Sequence, residues 1–173
     1  YTRTTMIGGQ TKTPTLSVLY NQEEKFIGGA GIVARHLKEA GGEVTFTSIV
    51  GEDELGYYAF KNLNKEMKLK FIFDKSRPTT NKNVFISGNY RLLKVDKLDN
   101  RTISKDIQKQ IEQFISKNSN DVVIFSDFRH GIFNRDTIKM FRESIPDNCF
   151  TAADSQVASR WGNITEFQNF DLI

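Results

Sequence analysis

Cysteine is nearly absent from this chain. One residue, Cys149, among 173 excludes an internal disulfide, and its place at the head of the apolar run "CFTAAD" suits a buried structural thiol. Histidine is almost as scarce. His36 and His130 are the only two, and with one cysteine they offer no metal-ligand cluster of recognisable spacing. Long apolar runs are missing too. None approaches the roughly 18 residues of a membrane span, and no signal peptide is visible. An excess of one charge sign is also lacking. Twenty-four Lys and Arg against 21 Asp and Glu leave a net charge of +3. They are spread along the chain without a dense basic block, which argues against a nucleic-acid partner. What is present is 38% apolar and 26% charged residues, the make-up of a globular domain with a real core. The expected compartment is the cytoplasm. The chain opens on Tyr1 rather than Met, which reads as a fragment of something longer.

The hydrophobic pattern alternates between two periods. Residues 1–14 are polar. "TLSVLY" (15–20) alternates as a half-exposed strand, and "EEKFIGG" reads as a second short strand running into glycines. Ile32, Val33, Leu37 and Ala40 have helical spacing, and Gly41-Gly42 stop that helix. "VTFTSIV" (44–50) is a β-branched strand. A helix follows with Asp53 near its start, where its charge suits the helix dipole. "LKFIFD" is a strand, and "NVFISGNYRLLKVD" a hairpin about Ser87-Gly88-Asn89. Ser104 caps an amphipathic helix with Ile107, Ile111, Phe114 and Ile115 on one face. "DVVIFSD" is the continuous apolar strand of a buried parallel sheet. A helix from "NRDTIKMFRESI", the strand "CFTAAD" and the start of another at "FDLI" complete the pattern. This order predicts an α/β fold with a mostly parallel sheet. The half-polar strands at about 14–27 and 81–96 form an accessory sheet outside it.

Gly29-Ala30-Gly31-Ile32-Val33-Ala34 spells G-x-G-x-x-A, a dinucleotide-binding fingerprint, with Glu52 and Asp53 near the distance expected for a ribose-binding acid. The preceding stretch "YNQEEKFI" speaks against it. A first strand in such a fold is buried on both faces and almost wholly apolar.

A wider set of residues resembles the ribokinase-like (PfkB) carbohydrate kinases. Gly28-Gly29, Ala34, Gly41 and Gly51 have the spacing of that family's first signature, with Ile32 where the family usually has Asn. Pro78, Thr79 and Lys82, then Lys94-Val95-Asp96, resemble the P-T-x-x-K and basic-apolar-Asp elements of its heptose-phosphate kinase branch. "FSDFRHG" is similar to the S-D-Y-x-K-G of that branch, keeping Ser126, Asp127 and Gly131 and placing His130 at the Lys. Asp154 is kept from a D-P-K element, with Ser155 and Gln156 replacing Pro and Lys.

The resemblance implies an incomplete doubly wound sheet over residues 1–173, with the accessory strands as a lid over a sugar pocket. It implies sugar or sugar-phosphate contacts at Gly28, Gly29, Ala30, Lys82, Lys94 and Asp127, with Arg129 and His130 nearby, and a nucleotide-side role for Asp154. Trp161 reads as packing. ATP and Mg2+ are the implied cofactors, with a homodimer formed through the lids, whose faces carry Leu16, Val18, Phe85 and Leu92. The family's catalytic Asp and anion hole would follow Ile173, so no catalytic or metal-binding residue is expected within these 173. Two alternatives stay open: a non-catalytic sugar-binding or dimerising module on the same scaffold, and the NAD(P)-binding enzyme.

Overall fold

The computed structural model describes residues 1–10, 12, 14–118, 120–156 and 164–173; Trp161 lies outside them. Two parallel strand pairs form the centre. Strand β3 (Thr45–Gly51) pairs with β4 (Lys68–Asp74) through helix α2 (Glu54–Leu63), and β7 (Val122–Asp127) pairs with β8 (Phe150–Ser155) through α4 (Arg135–Glu143). Helix α1 (Ala30–Glu39) precedes β3, and α3 (Lys105–Lys117) precedes β7. Each of the last three helices starts on a side chain that satisfies an orphan backbone N–H. Asp53 accepts from Gly56 N at 2.8 Å, and Ser104 from Ile107 N at 3.3 Å. Asn134 accepts from Thr137 N at 3.0 Å, while Thr137 Oγ1 accepts from Asn134 N at 2.9 Å, a reciprocal capping box.

Period-2 alternation in β3 and β4 divides their side chains between two cores. Phe46, Leu69 and Phe71 pack with Ala34, Leu63 and Met67 beneath α1 and α2. Ile49 and Ile72 face the other way, into a cluster built from Ile107 and Ile111 of α3, Phe125 of β7, and Ile138 and Phe141 of α4. Helices thus cover both faces of the parallel layer, the doubly wound arrangement. Cys149 is a buried free thiol in the second core, and burial pushes its pKa up.

The accessory sheet has four strands in the order β2-β1-β5-β6. Strand β2 (Thr15–Glu23) and β6 (Tyr90–Lys97) are its edges, with β1 (Thr2–Gln10) and β5 (Asn81–Ser87) between them. Strand β1 lies in the polar stretch where no strand was expected. It is held by threonines in place of apolar residues. Thr2 and Thr4 are buried, Thr2 Oγ1 donates to Asn83 Oδ1 at 3.1 Å, and Thr4 Oγ1 donates to the Ile86 carbonyl at 3.0 Å. Hydroxyls with partners remove the burial penalty that would otherwise keep such a segment out of a sheet. The second strand expected at "EEKFIGG" does not form: β2 continues to Glu23, and residues 24–28 have no regular structure. "FDLI" contributes one bridge, Ala152 to Leu172, and no strand beyond it.

Candidate functional site

The parallel strands end on one edge with Gly51, Asp74, Asp127 and Ser155, the edge at which open α/β sheets bind ligands. The accessory sheet is tied to it by Thr79, just ahead of β5. Thr79 N donates to Asp53 Oδ2 at 2.9 Å, Thr79 Oγ1 donates to Asp53 Oδ1 at 2.7 Å, and the same hydroxyl accepts from Gly51 N at 2.9 Å. Burial alone would raise the Asp53 pKa, but these bonds and the one from Gly56 hold it below the ordinary carboxylate range. Both oxygens of Asp53 are therefore committed to the fold. The glycine loop is entered from accessory strand β2, which pairs with β1, and not from a strand of the parallel layer. The wiring of a dinucleotide-binding βαβ unit is not present here.

A second tie comes from Arg77. Its Nε lies 2.9 Å from Asp74 Oδ2, with the two side chains 8% and 10% exposed. Its Nη2 donates to the Arg101 carbonyl at 3.3 Å. Asp74 also accepts from Ser76 N and Oγ at 2.8 and 2.7 Å. Its burial is outweighed by these donors, and its pKa lies below the usual value. Arg77 thereby links the end of β4 to the loop before α3. The sequence reading missed this pair because an Arg three residues after an Asp in a turn has no motif of its own.

The glycine loop meets the end of β7. Gly29 is left-handed at φ 53°, and a Cβ there would meet the Phe128 ring at 3.9 Å. A Cβ at Gly28 would meet nothing within 4 Å, so its surroundings are open. Ala30 begins α1. Asp127 is 1% exposed, and its Oδ1 accepts from Arg129 N at 2.7 Å. That turn forces Arg129 to φ 64°, uncommon for a residue with a Cβ. The Nη1 of Arg129 and the Oγ of Ser126 are buried without hydrogen-bond partners.

Lys82 and Lys94 lie on the β5–β6 hairpin and share one carboxylate. Lys82 is 3.5 Å and Lys94 3.1 Å from Asp96 Oδ2. Lys82 also lies close enough to His130 to disfavour its protonation, so the hairpin and the loop after β7 are neighbours. Asp154 stands apart from this group. It pairs in register with Ser126, and Asp127 with Ser155, so the two aspartates project from opposite faces of the sheet. Asp154 is exposed. Among the described residues no group of three or more His, Cys, Asp or Glu side chains is placed to hold a metal ion.

No family model matches the chain. By sequence it is 28% identical over 139 residues to the bifunctional protein HldE of Nitratiruptor sp., covering 78% of this chain and 30% of that one. It is 30% identical over 140 residues to HldE of Bradyrhizobium diazoefficiens, covering 78% and 28%. By fold it superposes on Escherichia coli phosphofructokinase-2 in complex with substrates and products with a TM-score of 0.61 at 14% identity, covering 90% of this chain and 50% of that one. The chain spans less than a third of the length of these curated relatives. By sequence the chain is similar to these HldE proteins over about four fifths of its length, and its fold is that of the ribokinase-like kinases.

Proposed function

We propose that this chain carries the acceptor side of an ATP-dependent kinase acting on a sugar or sugar phosphate, nearest in kind to heptose-phosphate kinases. One observation carries the reading. Glycine loop 28–30 lies beside Phe128 at the end of β7, and the charge of Lys82 on the basic hairpin disfavours protonation of His130 in the loop that follows, which supports a common edge for these distant parts of the sequence. The open space at Gly28 lets a substrate approach the backbone without a Cβ in the way. Residues 28–30, Lys82, Lys94 and Asp127 then contact the sugar, and Asp154, across the sheet, faces the nucleotide side.

Phosphoryl transfer needs a base within reach of the attacking hydroxyl, donors for the phosphate charge, and magnesium. The residues described here fit only the acceptor part. Asp127 is buried and engaged in its turn, and no metal cluster is present among them. This reading assigns neither the base nor the phosphate cradle to the described residues. The test is phosphate transfer from ATP by the full-length protein to a panel of neutral sugars and sugar phosphates. Turnover with at least one is expected, and a folded protein inert toward all of them sinks the proposal.

A binding module without turnover is the second reading. It is favoured by Ile32, an apolar side chain 36% exposed early in α1, which cannot hydrogen-bond a sugar hydroxyl. Saturable sugar binding by calorimetry with no transfer would establish it. We further propose that the protein is cytoplasmic and dimerises through its accessory sheet, where Leu16, Leu19, Tyr20 and Leu93 are each more than half exposed. No helix of the described residues is long and apolar enough to cross a membrane.

A further inference from the structure

Three loops meet behind the acceptor edge, and Arg77 stands at their junction. Loop 75–80 leads from β4 out to the β5–β6 hairpin, loop 98–104 returns from that hairpin to α3, and loop 128–133 follows β7. Arg77 is buried among them, its side chain 8% exposed. Its Nε donates to Asp74 Oδ2 at the end of β4 at 2.9 Å, its Nη2 to the Arg101 carbonyl at 3.3 Å, and its Nη1 to the His130 carbonyl at 3.5 Å. One planar guanidinium, with its donors in a fixed fork, thus reaches a strand end and both of the other loops.

Further bonds tie the same loops. His130 Nδ1 lies 3.0 Å from Asn100 Oδ1, Ile103 N donates to the Gly131 carbonyl at 3.1 Å, and Arg101 Nη2 donates to the Ser76 carbonyl at 3.3 Å. Packing is tight as well, since a Cβ on Gly131 would collide with the Arg101 carbonyl oxygen. The loop after β7 needs such holding. Arg129 is left-handed at φ 64°, a conformation that a residue with a Cβ keeps only where its surroundings over-determine it. Its N–H is held by Asp127 Oδ1 at 2.7 Å from the strand side, and the junction restrains the loop from the other. Both ends of the β5–β6 hairpin emerge from this same junction, so a displacement of the hairpin pulls on residues 128–131, beside which Gly29 lies.

We infer that Arg77 is a positioning residue for acceptor binding. It acts through the loops it holds, fixing residues 128–131 and the root of the hairpin as one body, so that the acceptor meets an edge formed in advance and less ordering is lost on binding. The inference rests on the kinase reading for what the acceptor is.

Arg77→Lys is the probe. An ammonium keeps the charge beside Asp74 but has no fork to span three loops. In the full-length protein, hydrogen exchange read by mass spectrometry should rise together in peptides covering 99–103 and 128–131, and stay unchanged in α4 and β3. Phosphate transfer from ATP is then measured with each neutral sugar or sugar phosphate that the parent protein uses. The KM for that acceptor is expected to rise about tenfold or more, the scale on which small misplacements far from the chemistry act. The KM for ATP should stay in place and kcat should change far less. Asn100→Ala removes only the bond to the His130 ring. It should raise the acceptor KM by a smaller factor, and it reads out the junction should Arg77→Lys fail to fold. For a protein that binds sugar without turnover, the dissociation constant by calorimetry takes the place of KM.

An unchanged acceptor KM in the folded variants, or an equal rise in the KM for ATP, overturns the inference. Exchange that rises in one loop and not in the other does so too. A parent protein that neither phosphorylates nor binds any of the sugars removes the kinase reading, and the role of Arg77 with it. An active parent whose variants keep the acceptor KM removes the role of Arg77 alone.

Discussion

Two glycines of this edge separate packing from ligand access. Gly131 is left-handed at φ 85°, and a Cβ there would collide with the Arg101 carbonyl oxygen. Gly131→Ala is expected to cost about 1–3 kcal/mol of stability, from overpacking and backbone strain. Gly28 has open space where its Cβ would be. Gly28→Ala should change stability by less than about 0.5 kcal/mol while weakening sugar binding. Urea melts and calorimetry on the two variants check this, and a large stability loss at Gly28 would make its loop a packing feature alone. Asp53 offers a test by pH. Its pKa is lower folded than unfolded, so its contribution is fully present above the unfolded carboxylate value and is lost as pH falls through the folded one. Asp53→Asn keeps a capping oxygen but not the charge. Between about pH 5 and 3 the stability of the parent protein should fall more steeply than that of the variant, and parallel curves would count against the charge.

At the scale of elements, the ends of strands are joined by ion pairs of very different worth. Arg77 and Asp74 are about nine-tenths buried, and Arg77 also holds the Arg101 carbonyl before α3. Arg77→Ala leaves a buried carboxylate without its partner and should destabilise by about 3–5 kcal/mol. The pair of Asp99 and Arg101 has shorter contacts, 2.6 Å at Nη2, but the Arg101 side chain is 75% exposed. Its hydrogen bonds take the Asp99 pKa down to about 2, yet water screens the pair. Arg101→Ala should cost far less stability than Arg77→Ala. Chemical denaturation of both variants gives the comparison, and equal losses would refute the ranking by burial. The helices themselves were legible residue by residue. Ser104 is the observed cap of α3, and Ile107 and Ile111 of its expected face pack in the core, but α1 buries Gly31 and Ala34 while Ile32, Leu37 and Ala40 of its expected face are exposed. The accessory strands were less so, because β1 is Thr-rich and its burial depends on Asn83 and Ile86, more than 80 residues away.

For the whole molecule, the accessory sheet leaves a surface that water does not favour. Leu16, Tyr20, Tyr90 and Leu93 are all more than half exposed on its edge strands β2 and β6. A second copy covering this sheet would bury them. Leu93→Lys is expected to convert a dimer into a monomer without unfolding it. Light scattering after size exclusion reads the mass, with circular dichroism confirming the fold. A monomeric parent protein, or a variant that stays dimeric, removes the lid as the interface.

The helices and the strands of the parallel layer, the cap at Ser104, the buried cysteine and the spacing of glycines followed from the sequence alone. These are local properties. Helical and strand periods repeat within a few residues, and a cap acts across three or four positions. Tertiary structure decided the rest. Asp53 is a plausible ribose ligand by spacing, but Thr79, 26 residues on, takes both its oxygens. Asp127 and Asp154 both end strands, and only the register of β7 against β8 sends them to opposite faces. Lys82 stands on β5 and His130 in the loop after β7, and closure of the loops around Arg77, Thr79 and Asn100 brings the charge of Lys82 to bear on His130. Such contacts depend on register and loop closure between distant segments, which no periodicity within a segment encodes.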